Sequence, residues 1–243
     1  MNYSIALIAV LMAGSSLMGG LAAAKLKSKI NYLLGLVAGL MMGVVAFDLI
    51  PEIFNISNEY AVNITWPMIG LVIGFIGFHF AEQFVLMHTS HEKEYKSHSH
   101  SHVGKYSIYA LITHRFLDGV SIGLAFQIDA VLGLAVSIAV IAHSFIDGLN
   151  IISLSQLYKD KYAIKELIVG SVIPVLGIII SYFIKLPEFA LSIYLGIFAG
   201  FLIYLAASDI LPEAHRDKPR WSIMGLTILG LVIMFLISSF LSI

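Results

Sequence analysis

The sequence predicts an all-α membrane protein. Eight transmembrane helices are expected, with helices 1–3 and 6–8 forming an inverted repeat around central helices 4 and 5. Three observations carry this. Of 243 residues, 59% are hydrophobic and 12% charged, against about 45–50% and about 25% in soluble domains. The apolar residues fall in eight runs, each close to the ~20 residues a helix needs to cross a bilayer core. One segment near the end of the second run returns near the end of the seventh. Disorder needs the opposite composition, and open strand edges cannot be satisfied in lipid.

The runs lie at about 4–24, 30–50, 66–88, 106–128, 130–154, 164–185, 189–210 and 221–243. Residues 1–243 read as a single transmembrane domain. No basic residue precedes Lys25, so the first run is expected to be a retained span and not a cleaved signal peptide. Gly35, Gly39 and Gly43 recur at four-residue spacing, which lets helices approach closely. Asp129 is the only charge between runs four and five. The chain has no cysteine, which excludes disulfides, thiolate metal sites and cysteine nucleophiles.

Basic residues set the expected orientation. Alternate loops hold Lys25, Lys27 and Lys29; Lys93, Lys96 and Lys105; Lys159, Lys161 and Lys165; and Arg216, Lys218 and Arg220. The opposite set holds Lys185 alone, and Arg115 lies within a run. This asymmetry predicts a multi-pass protein of the cell membrane with both termini extracytoplasmic. Residues 89–104 then form a cytoplasmic His-rich loop. Its His91, His98, His100 and His102 suit weak, exchangeable metal contact; the plainer alternative is a solvated polar linker.

Residues 38–52 and 199–213 share Ala, Gly, Ala, Asp, Pro and Glu at one fixed offset. In an eight-span topology the two segments cross in opposite directions, the build that gives secondary transporters two alternating accesses. Asp48 and Glu52 fall at one membrane face, and Asp209, Glu213 and His215 at the other. Acids at both mouths would attract a cation and let it leave. The competing reading is turn formation and capping around Pro51 and Pro212.

Run four carries His114-Arg115-Phe116-Leu117-Asp118-Gly119, and run five His143-Ser144-Phe145-Ile146-Asp147-Gly148. Residues i and i+4 share a helix face. Each helix therefore offers one imidazole and one carboxylate near mid-depth, where ionisable groups are costly and mark function. A metal held by His114, Asp118, His143 and Asp147 would neutralise the carboxylates and satisfy the imidazoles together. Mixed N/O ligands suit first-row divalent ions, with Zn²⁺ and Fe²⁺ prominent. The glycine after each Asp is expected to allow close helix contact. Ser121 and Asn150 continue the polar face.

These features resemble the Zrt/Irt-like (ZIP) family of metal transporters. The matching elements are the twinned H-x-x-x-D-G motifs, the Asp-x-x-Pro-Glu helix ends, the eight spans and the His-rich loop. The resemblance implies secondary transport of a divalent transition metal into the cytoplasm, with Zn²⁺ the leading cargo and Fe²⁺ or others open. It also implies a transport site between helices 4 and 5, to which Met41 on helix 2 could add a thioether; core packing is the plainer role for Met41. In the family an Asn commonly follows the first His and an acidic residue often follows the second, and a carboxylate on helix 6 can complete a second site. Here Arg115 and Ser144 hold those two positions, and the stretch Val172-Ile173-Pro174 on helix 6 has no acid. A mononuclear site follows.

Arg115 is expected to place its fixed charge where a second ion would sit, weakening metal binding and favouring release. Alternatively it pairs elsewhere, for example with Glu82, or snorkels. The expected partners are the metal and the bilayer, with a homodimer left open; nucleic acid and organic cofactors are not expected. Two other functions were weighed: a transport-deficient metal sensor, and a membrane metallohydrolase. No H-E-x-x-H is present to support the latter.

Overall fold

The computed structural model describes residues 3–22, 30–91, 100–157, 162–215 and 220–241. All regular structure among them is helical, as a chain must be when lipid offers its backbone no partner. The helices are α1 (Tyr3–Ala22), α2 (Ile30–Val44, continued by Val45–Leu49 and Ile50–Glu59), α3 (Thr65–His91) and α4 (His100–Ile128). They continue with α5 (Ala130–Leu157), α6 (Ala163–Ser181), α7 (Glu188–Tyr204, continued by Leu205–Ile210 and Leu211–His215) and α8 (Trp221–Leu241). Six are long and apolar enough to cross a membrane: α1, α2, α5, α6, α7 and α8. The apolar stretch of α3 is shorter, Thr65–Ala81. The 29-residue α4 carries His114, Arg115 and Asp118, which dilute its apolar character.

Several helices outrun the apolar runs. His91 is the last residue of α3, and His100 and His102 lie in the first turn of α4. The segment expected as a loop over 89–104 is therefore helical at both ends. Residues 92–99, with His98, lie outside the described residues. The border at Asp129 is sharp. Its carboxylate accepts bonds from the backbone N–H groups of Val131 (2.7 Å) and Leu132 (3.1 Å), capping the start of α5.

The chain divides into two compact units. The first comprises Met1–Lys27, Phe80–Leu124 and Val140–Phe183. Within it, α4 meets α6 and α5 meets α1 through glycine. A Cβ on Gly119 would overlap the Pro174 carbonyl, and one on Gly148 would overlap the Ser16 carbonyl. Each approach is reciprocated, by Gly177 against Phe116 and Gly19 against Phe145. The glycines that close the two H-x-x-x-D-G motifs thus let neighbouring backbones touch at the level of the acids. Ile151, Ile152 and Leu167 pack with Leu17 and Leu111 beside them.

The second unit comprises Ser28–His79, Ala125–Ala139 and Ile184–Ile243. Gly35, Gly39 and Gly43 of α2 lie against Ile223, Thr227 and Met234 of α8, as their spacing predicts. Gly70 and Gly74 of α3 face Ile193 and Ile197 of α7, and Gly196 and Gly200 answer against Pro67 and Leu71.

Both copies of the repeated segment contain a π-helical turn at the same place, Val45–Leu49 and Leu205–Ile210. The Ile50 N–H bonds to the Val45 carbonyl, and the Leu211 N–H to the Ala206 carbonyl. Both are i→i−5 bonds, one residue wider than an α-helix. The cause is local. Pro51 and Pro212 have no N–H, so the carbonyls four residues earlier lose their donors. One of these, on Phe47, accepts a bond from the Ser238 hydroxyl of α8 at 3.1 Å.

Candidate metal site

The four residues singled out by the paired motifs come together inside the first unit. One ligand atom from each of His114, Asp118, His143 and Asp147 can be chosen so that all lie within 4.8 Å of one another, and all four residues are buried. The i,i+4 spacing sets one imidazole above one carboxylate on each of α4 and α5. His114 Nε2 lies 3.2 Å from Asp118 Oδ2, and His143 Nε2 donates to the same oxygen across the helix pair, also at 3.2 Å. His143 Nε2 is 3.9 Å from Asp147 Oδ2. The imidazole rings stack with centroids 5.7 Å apart and planes 27° apart.

The other oxygen of Asp118, Oδ1, is buried with no hydrogen-bond partner. A buried carboxylate oxygen in that condition is costly unless a cation reaches it. Tetrahedral Zn²⁺ with bonds of about 2.0–2.2 Å sets its ligand atoms roughly 3.3–3.6 Å apart. Separations of 3.2, 3.2 and 3.9 Å lie near that, and the whole set falls within 4.8 Å, so the side chains would have to draw together to form a two-imidazole, two-carboxylate shell.

Arg115 is fully buried within this group. Its Nη1 donates to Asp147 Oδ2 at 2.9 Å, and its Nε donates to the Gly170 carbonyl of α6. Its Nη2 has no hydrogen-bond partner. Of the alternatives open from the sequence, snorkelling gives way to burial and pairing with Asp147; the Glu82 side chain lies outside the description. With neutral imidazoles, Asp118, Asp147 and Arg115 together sum to −1.

Gly170 was not legible as part of this site, yet a signal was present. Pro174 lies inside α6, four residues after Gly170. A proline there removes the amide that would otherwise bond the Gly170 carbonyl, leaving it open for Arg115. Two serines beside the motifs are also buried. Ser144 replaces an acid of the family pattern, and Ser16 of α1 supplies the carbonyl under Gly148; each hydroxyl is buried with no hydrogen-bond partner.

The remaining expected site residues are placed as follows. The Ser121 hydroxyl donates to the Leu117 carbonyl at 2.9 Å, the ordinary use of a helical serine. Asn150 is exposed. Met41 is fully buried in the second unit. There too Asp48 is buried with Oδ2 lacking a hydrogen-bond partner, and Asn55 donates to Glu52 at 3.3 Å. Glu213 is exposed, and His215 Nδ1 lies 3.0 Å from the Leu211 carbonyl. The side chains of Asp209, His91, His100 and His102 lie outside the description.

Comparison with known proteins bears on the family of the chain. A family model described as ZIP Zinc transporter matches residues 106–242, more than half of the chain and both motifs. The chain is 34% identical over 110 residues to the human protein named Zinc transporter ZIP10, and equally to its mouse counterpart. Each match covers 43% of this chain and 13% of the relative, so the chain corresponds to a small part of those proteins. On these matches, the protein belongs to the ZIP zinc transporter family.

Proposed function

We propose that the protein moves a divalent transition metal, Zn²⁺ first among the candidates, across the membrane into the cytoplasm. The cargo rests at a mononuclear site of His114, Asp118, His143 and Asp147, reached from the two sides by alternating access. The observation that carries this reading is the buried cluster itself: two imidazoles and two carboxylates within one ion's reach. The π-helical turns at matching places in α2 and α7 support a repeat-based mechanism, since such turns recur at functional sites. Asp48, Glu52, Asp209 and Glu213 then serve as cation-attracting groups along the path.

Loading the site requires neutral imidazoles and ionised carboxylates, so metal displaces protons. The distribution of basic residues supports cytoplasmic loops on the Lys-rich side and extracytoplasmic termini. Membership in a transporter family weighs against a metallohydrolase. The Arg115–Asp147 pair favours one second reading, a relative that binds metal without passing it.

Flux of Zn²⁺ into liposomes separates these readings. Saturable entry with the wild type that falls to background in His143→Ala is the expected outcome. Stoichiometric binding without flux would instead establish the sensor. Flux unaffected by His143→Ala would remove the cluster from the transport path.

A further inference from the structure

Arg115 is the one permanently charged cation seen among the four candidate ligands, and its position is built. Three helices define it. The side chain comes from α4, its Nη1 is bonded to Asp147 of α5 at 2.9 Å, and its Nε is bonded to the Gly170 carbonyl of α6. That carbonyl is available because Pro174, one turn further along α6, has no amide to fill it. The guanidinium is planar and its donors are fixed in a fork. Two bonds at two edges therefore hold the charge against Asp147 Oδ2, one of the two oxygens this candidate ligand can offer a metal.

We propose that Arg115 is an affinity-determining residue, a tethered cation that competes with the cargo for Asp147 and is anchored by the carbonyl Pro174 leaves open. This rests on the reading of the four-residue cluster as the metal site. In the metal-free protein the guanidinium neutralises Asp147 and spares the membrane interior a second bare carboxylate. Metal entry breaks the Nη1–Asp147 bond and leaves the Gly170 bond in place. The guanidinium stays nearby as a like charge, so the loaded state is raised in energy and release is eased. The penalty is set by the protein, and it falls equally on every divalent ion. Arg115 therefore sets how tightly the site binds without setting which divalent ion it prefers.

The test is equilibrium binding of Zn²⁺ and of Mn²⁺ to the purified full chain in detergent, measured by competition with a chelating dye. Arg115→Gln removes the charge. It should tighten both ions by at least about tenfold and by a common factor, so the Zn²⁺/Mn²⁺ ratio is unchanged. Arg115→Lys keeps the charge but lacks the fork that reaches both anchors, so its binding should fall between those of the wild type and Arg115→Gln. Pro174→Ala keeps every side chain of the cluster and returns an amide to the Gly170 carbonyl. With one anchor lost, binding should tighten by about two- to tenfold. That variant decides the matter if Arg115→Gln does not fold.

Unchanged or weaker binding in Arg115→Gln would overturn the proposal. So would a changed Zn²⁺/Mn²⁺ ratio, which marks a geometric role, and so would unchanged binding in Pro174→Ala. His143→Ala distinguishes the two levels of the argument. Binding lost there but unmoved by Arg115→Gln removes this inference alone. Binding that survives His143→Ala removes the site reading and this inference with it.

Discussion

At the scale of residues, the cluster shows why identity matters more than polarity. His143 is fully buried and meets Asp118 and Asp147 at 3.2 and 3.9 Å, so it touches both carboxylates of the set. Its loss removes a candidate nitrogen ligand and strips Asp118 of a donor. Accordingly, His143→Ala should abolish measurable Zn²⁺ flux, while Ser121→Ala, whose hydroxyl donates to the Leu117 carbonyl of its own helix, should retain most of it. Parallel liposome assays check both. Each His–Asp pair was legible in the sequence because i,i+4 spacing fixes a shared helix face whatever the tertiary packing. The anchor of Arg115 was not, because a glycine carbonyl leaves no trace in its own side chain. Only the proline four residues later marks it.

At the scale of elements, glycine and proline set the geometry. Gly148 lets α5 touch the Ser16 carbonyl of α1, and Gly119 lets α4 touch the Pro174 carbonyl of α6. Gly148→Ala must push backbone away from backbone, an overpacking cost of about 1–3 kcal/mol. A lowered melting temperature in detergent is expected, with weaker Zn²⁺ binding because His143 and Asp147 ride on the displaced helix. The π-helical turns depend on proline in the same way. Ser238→Ala should destabilise by about 0.5–1.5 kcal/mol, since it deprives the Phe47 carbonyl of the hydroxyl that replaces the missing Pro51 amide. The repeated Asp-x-x-Pro-Glu ending was visible in the sequence. The widened turn before it was not, because periodicity counts apolar residues and does not register which carbonyl bonds which amide. The ends of α3 and α4 were likewise misplaced by hydropathy, since polar residues such as His91 and His100 extend helices as readily as they leave them.

At the scale of the whole molecule, composition was decisive. A chain with 59% hydrophobic and 12% charged residues cannot hide its apolar side chains in a fold of this size. Large side chains such as Ile228, Val232, Phe235 and Leu236 remain exposed on α8, as lipid contact requires. Charge placement gives an expected topology that labelling tests. Because the chain contains no cysteine, single cysteines can report sidedness without background. Ser97→Cys should react with an impermeant thiol reagent only after cells are opened, and Lys185→Cys should react in intact cells. The reverse pattern would invert the direction assigned to transport.

The proposed transport hinges on His114, Asp118, His143 and Asp147 holding the metal together. X-ray absorption at the zinc edge of the full chain, loaded with one equivalent of Zn²⁺, tests it most directly. The prediction is a low-coordinate shell of nitrogen and oxygen at about 2.0–2.2 Å, with outer scattering from two imidazoles that falls to one in His143→Ala. A sulfur shell near about 2.3 Å would bring Met41 into the ligand set. A spectrum dominated by water oxygens, or one that His143→Ala leaves unchanged, would contradict the claim.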